Sequence, residues 1–482
     1  MSDFAGLEPT LVWERFWELT RIARPPKAEG PARDYVLAWA RDRHVDATAD
    51  DEGNVVVRIP AAVGREGAAT VVLQAHLDMV CERDPESPYD PREGRIAVLV
   101  EGDWVVADGT TLGADNGIGV AAALAVAEDP AIAHGPLELL FTVSEEQGLE
   151  GAKALDASLV TGRRLLNLDG ASDGALTVGC AGSDHTFLRL RLAVEPIPAD
   201  HAVLRVAVSG ARGGHSGEDV ARGRVNAIKA LGRVLSAGYE AVLFRLVAFD
   251  GGVSRNAIPR EAHALVALPP GGQSSLRSAC EAELAAIVRQ YAGTDGVELS
   301  LEDASTNGAA GVDTTRRALD LVAAIPAGVV ALAPRLVGVV ETSTNLTVAG
   351  TEGERLTLAS MARSSNAAAL DELRARMESL ARLSGADIEV RRSYPPWEPQ
   401  LDSPLLDAAK TTYTRLFGAE PALTVVHGGL ECAVLGQKLP GAEMISIGPE
   451  IVGMHAPGEK LRISSTQRFY RLLGVLLDDL SR

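Results

Sequence analysis

Thr70-Val-Val-Leu-Gln-Ala-His76-Leu-Asp78 is an apolar run that closes on a histidine and an acid. A short run of β-branched and apolar residues bounded by polar text reads as a buried strand. Residues two apart in a strand point to the same side, so His76 and Asp78 can share one site. Zinc takes an imidazole nitrogen, and a carboxylate behind the ring usually steers it. Taken alone, His-x-Asp is equally well a buried histidine beside a capping acid. The weight comes from recurrence. The run 137–143 leads into Ser144-Glu145-Glu146, Leu165-Leu-Asn-Leu168 leads into Asp169, and the run 444–447 leads into a Gly/Pro loop carrying His455.

Between the first two runs lies Asp108-Gly-Thr-Thr-Leu-Gly-Ala-Asp115-Asn-Gly-Ile-Gly119, followed by Val120-Ala-Ala-Ala-Leu-Ala-Val126. The Ala-rich run is a helix, and Asp115 sits just before its N-terminus, where a helix cap is the plain reading. The loop lacks the Lys-Ser/Thr of a P-loop and the order of a dinucleotide fingerprint, and Asp108 and Asp115 would repel phosphate. Adjacent Glu145 and Glu146 repel each other unless a cation compensates them. Neighbouring side chains also point in different directions, so one can bind a metal while the other handles protons. In open α/β sheets, ligands bind in the crevice beyond the carboxyl ends of the strands. Two histidines and several carboxylates suit zinc, manganese or cobalt, with no thiolate required.

A chain of 482 residues is too long for one ordinary core, so two or three domains are expected. In the N-terminal third, helical periodicity at 11–22, 32–43 and 118–127 alternates with short strands, which implies an α/β sheet covered on both faces. From about residue 186 the style changes to period-2 alternation, as in Phe187-Leu-Arg-Leu-Arg-Leu192, with helices at 225–235 and 276–291, an α+β pattern. From about Pro395 the first style returns, ending in an amphipathic helix at 465–480. The simplest organisation is one α/β domain interrupted by an inserted one. A net charge of −19 speaks against nucleic acid and anionic membranes as partners. No basic segment precedes an apolar run at the N-terminus and no long apolar run occurs elsewhere, so a soluble, cytoplasmic protein is expected. Cys81, Cys180, Cys280 and Cys432 are scattered without a Cys-x-x-Cys pair, which argues against a disulfide framework or a thiolate zinc site.

Together, the motifs resemble the zinc exopeptidases related to aminoacylase and the glutamate carboxypeptidases, and are most similar in wording to the aminoacyl-histidine (Xaa-His) dipeptidases. The resemblance runs over nearly the whole chain. It rests on the strings around His76, Asp115 and Glu145-Glu146, with Gly179-Cys-Ala-Gly182, Gly213-Gly-His215-Ser-Gly217, His427-Gly-Gly-Leu-Glu431-Cys432 and Ser446-Ile-Gly-Pro449. It implies a zinc-exopeptidase-like α/β catalytic domain, a mixed sheet flanked by helices, in residues 1–186 and 395–482. An inserted α+β lid domain at 187–394 would carry a homodimer contact. It further implies two divalent ions, most readily Zn2+, with Mn2+ or Co2+ as substitutes. Asp115 would bridge them, His76 and Asp169 would complete one ion, and Glu146 and His455 the other. Asp78 would orient His76, and Glu145 would be the general base toward a bridging water. His215 would stabilise the oxyanion, directly or across the dimer interface, and Asn256 and Arg363 would hold the substrate carboxylate. Small Xaa-His dipeptides are the implied substrates, with N-acyl amino acids, tripeptides and unselected dipeptides as alternatives. One departure bears on specificity: Met79-Val-Cys81-Glu82-Arg83 stands where the resemblance leads one to expect Val-Pro and an amide.

Overall fold

All six residues of the strand Val71–His76 are buried, as an apolar run in the middle of a sheet must be. In the computed structural model, which describes residue 4 and residues 6–482, that strand lies fourth in an eight-stranded sheet. The order is Asp46–Ala49, Val55–Ile59, Leu137–Thr142, Val71–His76, Arg164–Asn167, Glu443–Ser446, Ala175–Cys180 and Ala422–Val426. Four consecutive strands, from Leu137–Thr142 to Glu443–Ser446, run parallel. The strands outside them add antiparallel pairings, so the sheet is mixed. The carboxyl ends of those four strands therefore meet along one edge, and each is followed by a residue singled out above.

The chain divides into two compact units, Met1–Cys180 with Trp397–Arg482, and Ala181–Pro396. In the first, the helix Ala114–Glu128 is buried on nearly every side, which explains why its sequence is alanine-rich rather than amphipathic. The second unit holds a nine-stranded sheet whose pairings are antiparallel. Its core packs that sheet against helices that include Ala227–Ala241 and Val312–Ala324. No helix among the described residues is long and apolar enough to cross a membrane.

Two backbones touch where the ends of Arg164–Asn167 and Glu443–Ser446 meet. The amide of Gly170 donates to the carbonyl of Ile447 at 3.2 Å, and a Cβ on Gly448 would lie 1.7 Å from the Gly170 oxygen. Only glycine permits this approach, because any side chain would push one strand end off the other. Gly448→Ala is expected to cost about 1–3 kcal/mol and, since Gly170 follows Asp169, to displace that carboxylate. Thermal unfolding checks it: an unchanged Tm would contradict the close approach.

Candidate metal centre

His76 ends its strand with its ring buried, 1% exposed. Its Nε2 lies 3.0 Å from Asp115 Oδ1 and 3.5 Å from Asp169 Oδ1. On the other side of the ring, Nδ1 lies 3.4 Å from Asp78 Oδ1. Asp78 is fully buried, and its two oxygens accept the backbone N–H groups of Glu145 at 3.0 Å and Glu146 at 3.1 Å. One carboxylate thus fixes the ring from behind and fastens the end of Leu137–Thr142 to the end of Val71–His76.

The second histidine arrives on a loop. His455 adopts φ +64°, a left-handed conformation that costs an L-residue about 1–2 kcal/mol; such strain is retained where surrounding structure fixes a functional geometry. Its Nε2 lies 3.2 Å from Asp115 Oδ2 and 3.1 Å from Glu146 Oε1. Asp115 therefore turns one oxygen to each histidine, with Asp169 on the His76 side and Glu146 on the His455 side. Among the described residues, one ligand atom each from His76, Asp115 and Glu146 lie within 4.8 Å of one another, a spacing that could hold an ion. All five residues expected as ligands meet here.

The plain reading of Asp115 as a helix cap is overturned. Its two oxygens face His76 and His455 rather than backbone N–H groups, and both Asp115 and Asn116 have non-helical φ/ψ although they fall within Ala114–Glu128. The carboxylate is turned to the histidines instead. Asn116 sustains this arrangement by donating from Nδ2 to Asp169 Oδ1 at 2.6 Å and to the Leu168 carbonyl at 2.9 Å.

Electrostatics set the chemistry. Burial alone would raise the Asp115 carboxyl, but hydrogen bonds and charge from His455 and His76 hold it well below the usual carboxylate range. The hydrogen bonds of Asp115 and Glu146 push His455 up to about 11. Burial pushes Glu145 well above its ordinary range; His76 opposes this, while the charges of Asp169, Glu146 and Glu431 add to it. Burial and the charge of Asp115 also push Asp169 up. Packed this closely, Asp78, Asp115, Glu145, Glu146 and Asp169 exceed what two histidines can neutralise, so protons or bound cations must make up the difference. The donor set is nitrogen and oxygen without thiolate, which fits zinc and its borderline-hard neighbours.

Several supporting residues have no role that their own sequence pattern assigns. Glu431, 1% exposed, accepts from Gln74 Nε2 at 2.5 Å and Thr142 Oγ1 at 2.6 Å, and burial pushes it up to about 7. Glu29 accepts from the N–H and hydroxyl of Ser144, both at 2.8 Å, holding the residue before Glu145 at φ +50°. The spacing of these residues from the motifs is irregular, so only their quoted strings, as for Glu431, could have drawn notice.

In the second unit, His215 pairs with Ala257 on a short ribbon, and Ser216 N–H donates to the Asn256 carbonyl at 2.7 Å. His215 and Asn256 line one cavity of ≈ 680 Å³. Arg363 does not line it. It lies on the strand Arg355–Ser364, 4% exposed, and donates from Nη1 to the Tyr394 hydroxyl at 3.3 Å.

Residues 72–479 match the profile described as Peptidase family M20/M25/M40. The chain is 36% identical over 482 residues to the cytosol non-specific dipeptidase of Escherichia coli, covering 100% of this chain and 99% of that protein. Among solved structures, it is similar to the aminoacylhistidine dipeptidase of Vibrio alginolyticus, with TM-score 0.91, 36% identity and 99% of each chain covered. The aminopeptidase PepT of Bacillus cereus, at 17% identity and TM-score 0.57 over 99% of this chain and 100% of that one, shares the fold alone.

Proposed function

The chain belongs to peptidase family M20/M25/M40, and from that premise we propose that it is a two-metal dipeptidase acting on small dipeptides of the Xaa-His type. The observation that carries the reading is Asp115, whose two oxygens each face a different histidine, 3.0 and 3.2 Å away. A carboxylate divided in this way could serve two ions at once, as a two-metal site requires. His76 and Asp169 would hold one ion, and Glu146 and His455 the other. When bound, such a pair polarises the scissile carbonyl and lowers the pKa of a water.

The chain's own groups supply the rest. Asp78 keeps the His76 ring aligned, as carboxylates behind metal-bound imidazoles do. Glu145, partly buried with its proton affinity raised, takes the water's proton and delivers it to the departing amine. We assign peptide-binding roles to His215, Asn256 and Arg363: His215 toward the oxyanion, Asn256 and Arg363 toward the substrate carboxylate. Zn2+ as the native ion, a homodimer formed through the second unit and a cytoplasmic location complete the proposal. A dipeptidase without preference for histidine is the second reading, favoured by the Escherichia coli relative.

A substrate panel on metal-stripped protein, with Zn2+, Mn2+ or Co2+ restored in turn, tests this. Cleavage of Xaa-His dipeptides is expected to exceed that of other dipeptides, with tripeptides and N-acyl amino acids poor. Equal rates across dipeptides would favour the second reading. Faster cleavage of a tripeptide or an N-acyl amino acid would overturn both.

A further inference from the structure

Four residues beyond His455 the same loop carries Glu459, a carboxylate 2% exposed that the chemistry above does not use. Its Oε2 accepts the backbone N–H groups of Leu112 at 2.8 Å and Gly113 at 2.9 Å, and its Oε1 those of Ala114 at 2.8 Å and Asp115 at 3.2 Å. Four consecutive donors thus converge on one side chain. Such N–H groups at the start of a helix have no partner within it, and a negative charge is favoured there. The carbonyl side of the same loop is held as well. The guanidinium of Arg24, 1% exposed, donates to the carbonyls of Leu77, Asp78 and Gly113. Glu459, on the His455 loop, therefore accepts the N–H groups of the 112–115 backbone, while the Arg24 guanidinium donates to its Gly113 carbonyl and to the end of the His76 strand.

The consequence follows from connectivity. Asp115 must present one oxygen to each histidine, and its backbone N–H is one of the four that Glu459 binds. Glu459 and His455 stand on one short loop, so fixing Glu459 against 112–115 also fixes the distance between His455 and Asp115. We infer that Glu459 is a positioning residue for the metal pair, tying the Asp115 loop to the His455 loop before any ion binds. Burial pushes the Glu459 carboxyl above its ordinary range and the nearby Asp115 charge adds to this, while the N–H groups of Gly113, Asp115 and Leu112 draw it back. Both oxygens accept, which is the arrangement of an ionised carboxylate.

The inference rests on the two-metal reading, and the test separates the two. Glu459→Gln keeps the volume but places an NH2 group against two N–H donors. After dialysis, the wild type is expected to retain two ions per chain. Glu459→Gln should bind the ions about 10–100-fold more weakly, the usual effect of losing a group that supports metal ligands, with kcat reduced and KM for a dipeptide changed less. A wild type that binds no metal would overturn the two-metal reading itself. A variant with wild-type metal affinity and turnover would overturn only the role of Glu459. Should the variant fail to fold, hydrogen exchange on metal-stripped wild-type protein decides. Protection of the 112–115 amides without metal is the expected result. Free exchange there, lost only when metal is restored, would mean that the ions organise the loop and Glu459 does not.

Discussion

Glu145→Gln is expected to lower kcat by about 10²–10⁴-fold while metal content after dialysis stays at the wild-type level. The two halves have separate physical grounds. Glutamine has the volume of glutamate but cannot accept a proton, so the acid–base contribution is lost. Metal content is spared because the contacts among the ligand atoms involve His76, Asp115, Glu146, Asp169 and His455, and because Glu145 is anchored through its backbone N–H to Asp78, which the substitution leaves in place. Burial, with the charges of neighbouring acids adding to it, raises its affinity for a proton, the property a base needs when it must take a proton from water and hold it until the amine departs. Steady-state kinetics with metal analysis by mass spectrometry reads both halves. Near-normal turnover in both Glu145→Gln and Glu145→Ala would remove Glu145 from the mechanism.

How far the site can be read from the sequence depends on what each residue does physically. His76, Glu146 and Asp169 stand just after apolar strands, and a buried strand of a parallel sheet is among the plainest patterns a sequence carries. Chain topology then does what no local pattern can: it inserts Glu443–Ser446, from the far end of the chain, beside Arg164–Asn167. Asp115 is harder. Its place before a helix is equally that of a cap, and only the three-dimensional approach of two histidines distinguishes the roles. Glu459, Glu29 and Arg24 are invisible, because a charged residue reads as exposed unless its partners are known, and the partners that hold them at the site lie dozens or hundreds of residues away. In the second unit, the helix Ala367–Ser384 does carry a pattern, since its buried Leu370, Leu373, Met377 and Ala381 recur at helical spacing, but the stripe is narrow, four of 18 residues, and easily passed over. The strand Trp104–Ala107 pairs on one edge with the adjacent Val98–Glu101, a local hairpin, but on its other edge with Lys460–Arg462, more than 350 residues along the chain, a pairing no local pattern carries.

Asp115→Ala is expected to abolish metal retention at both positions and to reduce kcat/KM to the background of the stripped protein. A terminal ligand and a bridging one differ in what their loss leaves behind. His455→Ala removes one nitrogen from the Glu146 side and leaves His76, Asp115 and Asp169 able to hold an ion, so one ion should survive dialysis. Removing the Asp115 carboxylate withdraws an oxygen from both sides at once and leaves each with two protein ligands, below the three that catalytic zinc sites ordinarily use. It also removes the negative charge lying between His76 and His455: the hydrogen bond of Asp115 is the foremost cause that raises His455, and it adds to the charge of Asp169 in raising His76 against burial. Both imidazoles should then titrate at lower pH, a shift that NMR of the stripped variant can follow independently of activity. The fold should survive, because the backbone of 112–115 remains bound to Glu459 and Arg24. Two ions retained by Asp115→Ala, or a loss confined to one ion as in His455→Ala, would show that Asp115 belongs to a single metal and is not the bridge.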